Sequence, residues 1–175
     1  LTKLDYILNK LSETDVALVS DAGTPGIADP GYELISAAIE RGFKVEVIPG
    51  PSSVVTAVAL SGLPAAEFRF NAFLPRKASD KKAALEKLAV ETVALVFFEA
   101  PHRLRKTLEA LIATLGDRRV AVCRELTKLH EEVFRGSLSA ALDHFVEPRG
   151  EFVIVVEGSR QAKATPVLDD SVIDQ

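Results

Sequence analysis

The sequence predicts an α/β protein in two halves: a first with a short parallel, doubly wound sheet, truncated on one side, and a second with a mixed sheet. Three observations carry this. Short apolar runs alternate with stretches of helical spacing along residues 1–158. Loops rich in glycine and proline directly follow the apolar runs of the first half. Beyond Gly158 the chain turns polar and loses any sustained period.

In order, Leu4, Ile7, Leu8 and Leu11 fall on one face of a helix over residues 1–12. Val16 to Val19 reads as a buried strand, and a Gly/Pro-rich loop runs from Ser20 to Gly31. Residues 32–41 read as a helix through Leu34, Ile35, Ala38 and Ile39, stopped by Gly42. Lys44 to Ile48 is the next strand, and Pro49-Gly50-Pro51 a sharp turn. Ser52 or Ser53 caps a helix through Val54, Val55, Val58 and Leu60. A parallel sheet needs cover on both faces and more than two strands, so the first half looks incomplete at its N-terminal side. The complete lack of methionine agrees with residues lost at the front.

Gly62-Leu63-Pro64 ends that half. Phe68 to Phe73 is a strand, Pro75 to Ser79 a basic loop, Asp80 to Val90 a helix and Val93 to Phe98 a strongly apolar strand. Pro101 starts a helix whose core face is Leu104, Leu108, Leu111 and Leu115, closed by Gly116. Arg119 to Arg124 is a strand, Glu131 to Arg135 a short one, Ser137 caps a helix through Leu142 and Phe145, and Glu151 to Glu157 is the last strand. The division is therefore 1–66, 67–158 and a tail or linker at 159–175.

Composition bounds function. The 175 residues are 47% hydrophobic and 26% charged, ordinary for a globular chain. The net charge of −4 argues against a broad, non-specific nucleic-acid binder, while leaving room for one local basic face. No apolar run approaches the roughly 20 residues that span a bilayer, and no signal peptide is expected. A cytoplasmic home fits the cysteine usage: Cys123 is the only one and reads as a buried strand thiol.

Ligands of open α/β sheets bind at the carboxyl ends of strands. Ser20-Asp21-Ala22-Gly23-Thr24-Pro25-Gly26-Ile27 and Pro49-Gly50-Pro51-Ser52-Ser53 both hold such positions. The first allows close backbone approach to a ligand, and the second presents the free N–H groups of a helix start. An ordinary turn and an ordinary capped helix explain each composition taken alone. Neither is a G-x-G-x-x-G or Walker A loop, so NAD and ATP readings are unsupported. The second half adds Phe98-Glu99-Ala100-Pro101-His102-Arg103 and Arg124-Glu125-Leu126-Thr127-Lys128. Glu99 and Glu125 are candidate bases, or plain ion-pair partners of Arg103 and Lys128. His102, His130 and His144 have no metal-ligand spacing, so no metal is expected; His102 is the best functional candidate of the three, and His144 reads as a surface residue. Basic residues gather at Arg76, Lys77, Lys81 and Lys82, then at Arg103, Arg105 and Lys106. They form either solvated helix faces or a phosphate-contact surface. No RNP-like aromatic pair accompanies them, so base stacking in that manner is not indicated.

SDAGTPGIADPG at Ser20–Gly31, IPGPSS at Ile48–Ser53, FFEAPHR at Phe97–Arg103, RELTKLHEE at Arg124–Glu132 and GEFVIVVEG at Gly150–Gly158 together resemble the ribosomal RNA small subunit methyltransferase I family of the tetrapyrrole-methylase superfamily. The resemblance covers Leu1 to Gly158. It implies two α/β domains of the tetrapyrrole-methylase type, the first Rossmann-like, with S-adenosylmethionine between them. It implies a homodimer acting on 16S rRNA of the small ribosomal subunit, with 2′-O-methylation of a cytidine. Ser20, Asp21, Ala22, Gly23, Thr24, Ile27, Pro51, Ser52 and Ser53 would line the donor site from the first half, and Phe98, Glu99, Leu126 and Thr127 from the second. Glu99, Glu125 and Lys128 are the expected catalytic residues. Arg76, Lys77, His102 and Arg103 are the expected RNA contacts. The family opens with a strand and a TPIGN-type loop, then an AEDTR-type segment; neither is in this sequence, and both would complete the first sheet. Two rival readings are a sister methylase acting on a tetrapyrrole and a non-catalytic nucleotide- or RNA-binding module.

Overall fold

A computed structural model describes residues 2–160. The expected tail therefore lies, from residue 161 on, outside the described residues. Helix α1 (Lys3–Lys10) begins with a capping box in which Thr2 and Asp5 satisfy each other's backbone N–H groups. It packs on α2 (Tyr32–Glu40), and Arg41 reaches Asp5 across them at 3.6 Å.

The two strands expected in the first half are not formed. Val16–Val19 and Lys44–Ile48 carry no ladder pairing, and Val19 and Ile48 are 80% and 94% exposed. The physical reason is that hydropathy marks what a segment can bury, whereas a strand also needs a neighbour for its N–H and C=O groups. Neither segment pairs with the other or with the sheet below.

The sheet has five strands: β1 (Phe68–Phe73), β2 (Ala94–Glu99), β3 (Arg119–Arg124), β4 (Glu132–Ser137) and β5 (Phe152–Val156), in the order β1-β2-β5-β3-β4. β1 and β2 are parallel and the other three pairings antiparallel, so the expected mixed sheet is present. Its central strands are buried nearly end to end because helices cover both faces. On one face, α4 (Ala78–Leu88), α5 (Pro101–Leu115) and α6 (Leu138–His144) enclose Leu95, Phe97, Val122, Phe152 and Ile154. Leu104, Leu108 and Leu111 of α5 are fully buried there, each stabilising by about 1.5–3 kcal/mol relative to exposure.

The other face is covered by α3 (Ser53–Ser61), whose Val54, Ala57 and Val58 pack on Ala94, Val96, Ala121, Cys123, Val153 and Val155. α3, grouped with the first half by sequence, thus buries its apolar side on the sheet of the second. Gly62 closes it in the left-handed conformation. Cys123 is buried as expected, and burial pushes its thiol up to about 11.

Candidate functional site

The direction of α3 decides what comes together. Its last carbonyls are gripped from the amino end of the β2–β3 region: Arg135 donates to the Leu60 carbonyl at 2.6 and 2.8 Å, and Arg119 to the Gly62 carbonyl at 3.5 Å. α3 therefore runs antiparallel to β2 and β3, and its start, Pro51-Ser52-Ser53, lies at their carboxyl ends. Phe98 and Leu126 from those ends pack against the same apolar cluster as Val54. Ser52 holds the cap position without a side-chain cap bond, so the first N–H groups of α3 keep their donors.

The loop after β3 is bent unusually. Glu125 and Thr127 have φ of 48° and 67°, a conformation costing about 1–2 kcal/mol per non-glycine residue and kept where the surroundings enforce it. Enforcement comes from Glu125, whose Oε1 accepts from the Glu151 amide at 2.9 Å and from Lys128 Nζ at 3.1 Å. Lys128 also reaches Glu151 at 2.9 Å. Gly150 is required beside them: at φ 89°, a Cβ there would stand 2.5 Å from the Glu125 side chain. The Glu151 amide, and then Lys128, hold the Glu125 carboxyl below its ordinary range. Glu151, and then Glu125, raise the Lys128 ammonium. Glu125 is thus a weak proton acceptor, and Lys128 stays cationic on a half-exposed side chain.

Glu99 is placed differently from a base. Its carboxylate is fully buried, Oε2 accepts from Thr107 Oγ1 at 2.6 Å, Oε1 from the Ala100 amide at 2.9 Å, and Arg103 Nε stands 3.2 Å away. Lys81 Nζ completes the chain by donating to Thr107 at 3.2 Å. Burial lowers the Lys81 ammonium, and Arg103 lowers it further. Glu99 is an anchor for the start of α5. Arg103, expected at the RNA, also donates to the Leu74 carbonyl at 2.6 Å and so ties the loop after β1 to that anchor. Arg105 likewise points inward, to the carbonyls of Leu142 and Phe145. Of the expected basic contacts, Arg76, Lys77 and His102 remain exposed. Lys81, expected on a solvated helix face or a phosphate-contact surface, is buried instead; Thr107, which the sequence reading did not single out, has no pattern that separates it from a solvated helix position.

The Ser20–Ile27 loop is shaped by its own bonds. Ser20 Oγ donates to the Ala22 carbonyl at 3.0 Å, and the Ile27 amide to the Thr24 carbonyl at 3.1 Å. Asp21, Ala22, Gly23, Thr24 and Ile27 are exposed. His144, expected as a plain surface residue, stands 2.6 Å from Glu132 with its ring against Phe134 and Phe145. No cluster of three metal-ligating side chains occurs among the described residues. Nor is any helix among them long and apolar enough to cross a membrane.

Residues 4–142 match the family model described as Tetrapyrrole (Corrin/Porphyrin) Methylases. A ribosomal RNA small subunit methyltransferase I of Halalkalibacterium halodurans is 48% identical over 146 residues, 82% of this chain and 50% of that protein. A protein of the same name from Thermotoga maritima is 46% identical over 159 residues, 89% of this chain and 71% of that protein. The chain spans about half the length of the first of these relatives. Among solved structures, the uroporphyrin-III C-methyl transferase of Thermus thermophilus complexed with S-adenyl homocysteine superposes with a TM-score of 0.61. It is 19% identical, over 88% of this chain and 71% of that one, a likeness of fold.

Proposed function

The chain belongs to the tetrapyrrole methylase family, and we propose that it serves S-adenosylmethionine-dependent 2′-O-methylation of a cytidine in 16S rRNA of the small ribosomal subunit, as a cytoplasmic homodimer. The observation that carries this is the meeting of the α3 start with the bent loop after β3 and the end of β2, in a chain whose relatives bear the small-subunit methyltransferase name. We place the lobe boundary near residue 66, with the site between the lobes.

The residues fit such a donor. The uncapped start of α3 offers N–H groups and the Ser52 hydroxyl, suited to an amino-acid carboxylate. Phe98 and Leu126 give an apolar wall. Thr127, at a φ of 67°, follows Leu126 in the same loop and donates its N–H to Glu131. Ser20, Asp21, Ala22, Gly23, Thr24, Ile27, Pro51 and Ser53 complete the donor side. When bound, S-adenosylmethionine supplies an electrophilic methyl carbon on a sulfonium. The residues of the pocket would hold that carbon in line with the ribose 2′-hydroxyl, which would take the methyl and lose its proton to solvent as the neutral thioether leaves. Alignment is the chief contribution the protein makes to such a displacement.

Lys128, held cationic by Glu125 and Glu151, stabilises the developing alkoxide or a neighbouring phosphate. Glu125 orients Lys128. Glu99 acts only through the Arg103 and Ala100 contacts that hold the α5 start. Arg76, Lys77 and His102 face the RNA.

The test is mass mapping of methyl groups on small ribosomal subunits incubated with the protein and labelled donor. A labelled 2′-O-methylcytidine is expected, with Lys128→Ala losing about 10²-fold or more in kcat, the size of one lost oxyanion donor. Label in a tetrapyrrole and none in RNA overturns the reading; so does an absence of transfer to either.

A further inference from the structure

The last residue of β1, Phe73, carries an aromatic ring that the motifs left unused. In a regular strand Phe70 and Phe73, three residues apart, face opposite sides of the sheet. Here the β1–β2 register shifts between them, and Ala72 takes a φ of 51°. The bulge turns Phe73 to the side of Phe70, and both rings meet Phe98, with centroids 4.9 and 5.6 Å away. Bulges of this kind re-aim a side chain beside a site. Phe73 is fixed on its other side too, because Leu74 is buried and its carbonyl is held by Arg103. The result is a rigidly backed ring, 49% exposed, at the carboxyl end of the sheet. Next to it the chain continues Pro75-Arg76-Lys77, all exposed.

A single half-exposed ring among cations, rather than a broad apolar patch, suits a flat base with its phosphates. We propose that Phe73 is a stacking platform for an unpaired base of the RNA substrate, with Arg76 and Lys77 on the adjoining phosphates. This rests on the RNA-methylating function proposed above and adds how the RNA is held.

The protein contains no tryptophan, so Phe73→Trp makes a lone reporter at the platform, and Phe68→Trp, at the opposite end of β1, a control. A 12-nucleotide cytidine-containing single-stranded RNA is the probe. Expected are saturable quenching of the Phe73→Trp emission and none for Phe68→Trp. The same RNA annealed to its complement leaves both unchanged. Phe73→Ala weakens binding of the single strand about 5- to 100-fold, the range one stacked base supplies, without changing the dependence of affinity on salt. Arg76→Ala lowers that salt slope by about one.

Equal quenching by the duplex, or Phe73→Ala binding as tightly as the unaltered protein, overturns the platform. Quenching by S-adenosylmethionine without RNA also overturns it, by giving the ring to the adenine of the donor. Methyl incorporation by the unaltered protein reads the proposed function separately: transfer to RNA with an unquenched Phe73→Trp sinks the platform alone, and quenching with no transfer sinks the function alone.

Discussion

The segment before α3 and the sheet that follows it both contain short apolar runs and use them differently. Val47 and Ile48 stand in water, whereas Val153, Val155 and Val156 of β5 are enclosed by β2, β3 and helices on both sides. Both stretches are rich in β-branched residues. The difference is a partner: β5 is hydrogen-bonded along both edges, and the Lys44–Ile48 segment along neither. Side-chain burial follows from backbone pairing here, and the reverse does not hold.

The strongest probe of this contrast is amide hydrogen exchange. Amides of β2, β3 and β5 are expected to exchange about ten-thousand-fold or more slowly than those of Val16–Val19 and Lys44–Ile48, because the former open only with global unfolding. Equal protection would mean that the two apolar segments are paired in solution. Next in size is a matched pair of substitutions followed by chemical denaturation. Val155→Lys places an unpaired charge in the core and is expected to cost about 4 kcal/mol or more; Val47→Lys stays within about 0.5 kcal/mol. A large loss from Val47→Lys would break the comparison.

Glu99→Gln comes third. It removes the buried charge and replaces one carboxylate oxygen by an amide donor, which must face either Thr107 or the Ala100 amide and Arg103, at an expected cost of about 2–3 kcal/mol in the same assay. Two serines at helix starts give a finer contrast. Ser137 caps α6 by accepting from the Ala140 amide, so Ser137→Ala is expected to cost about 1 kcal/mol. Ser52 makes no such bond; Ser52→Ala should leave stability nearly unchanged while weakening donor binding measured by calorimetry.

The smallest effect is that of Glu125. Its carboxyl is held below the ordinary 4.5, so its stabilising contribution is fully present above that pH and is lost as pH falls through the lowered value. Glu125→Gln should flatten the acid limb of the stability curve below pH about 4.5. An unchanged limb would show that the pairs with Glu151 and Lys128 contribute nothing to folding.

Much of the fold was legible. β1 and β3 have the residue ranges their apolar patterns indicated. α5 begins at Pro101, which lacks the N–H that position leaves unpaired, and ends at Gly116. That Phe98–Arg103 and Glu125–Lys128 fall where strands end was legible, because a buried apolar run followed by turn residues marks where the chain leaves the sheet. The Glu99–Arg103 pair was one of the two readings of that carboxylate, and its extension through Thr107 to Lys81 was not legible. A lysine on a helix reads the same whether its head meets water or a buried hydroxyl, and which one it meets depends on α5 packing over α4.

Local chemistry by itself determined the helices, their starts and stops, and the apolar stripes that seek cover, since each depends on a few neighbouring residues. Only the tertiary structure decided which apolar runs found ladder partners, that α3 runs antiparallel to β2 and β3, and that a bulge at Ala72 brings Phe73 beside Phe98. These depend on groups far apart in the chain meeting in space, where a hydrogen bond or a ring contact exists only once both sides are in place.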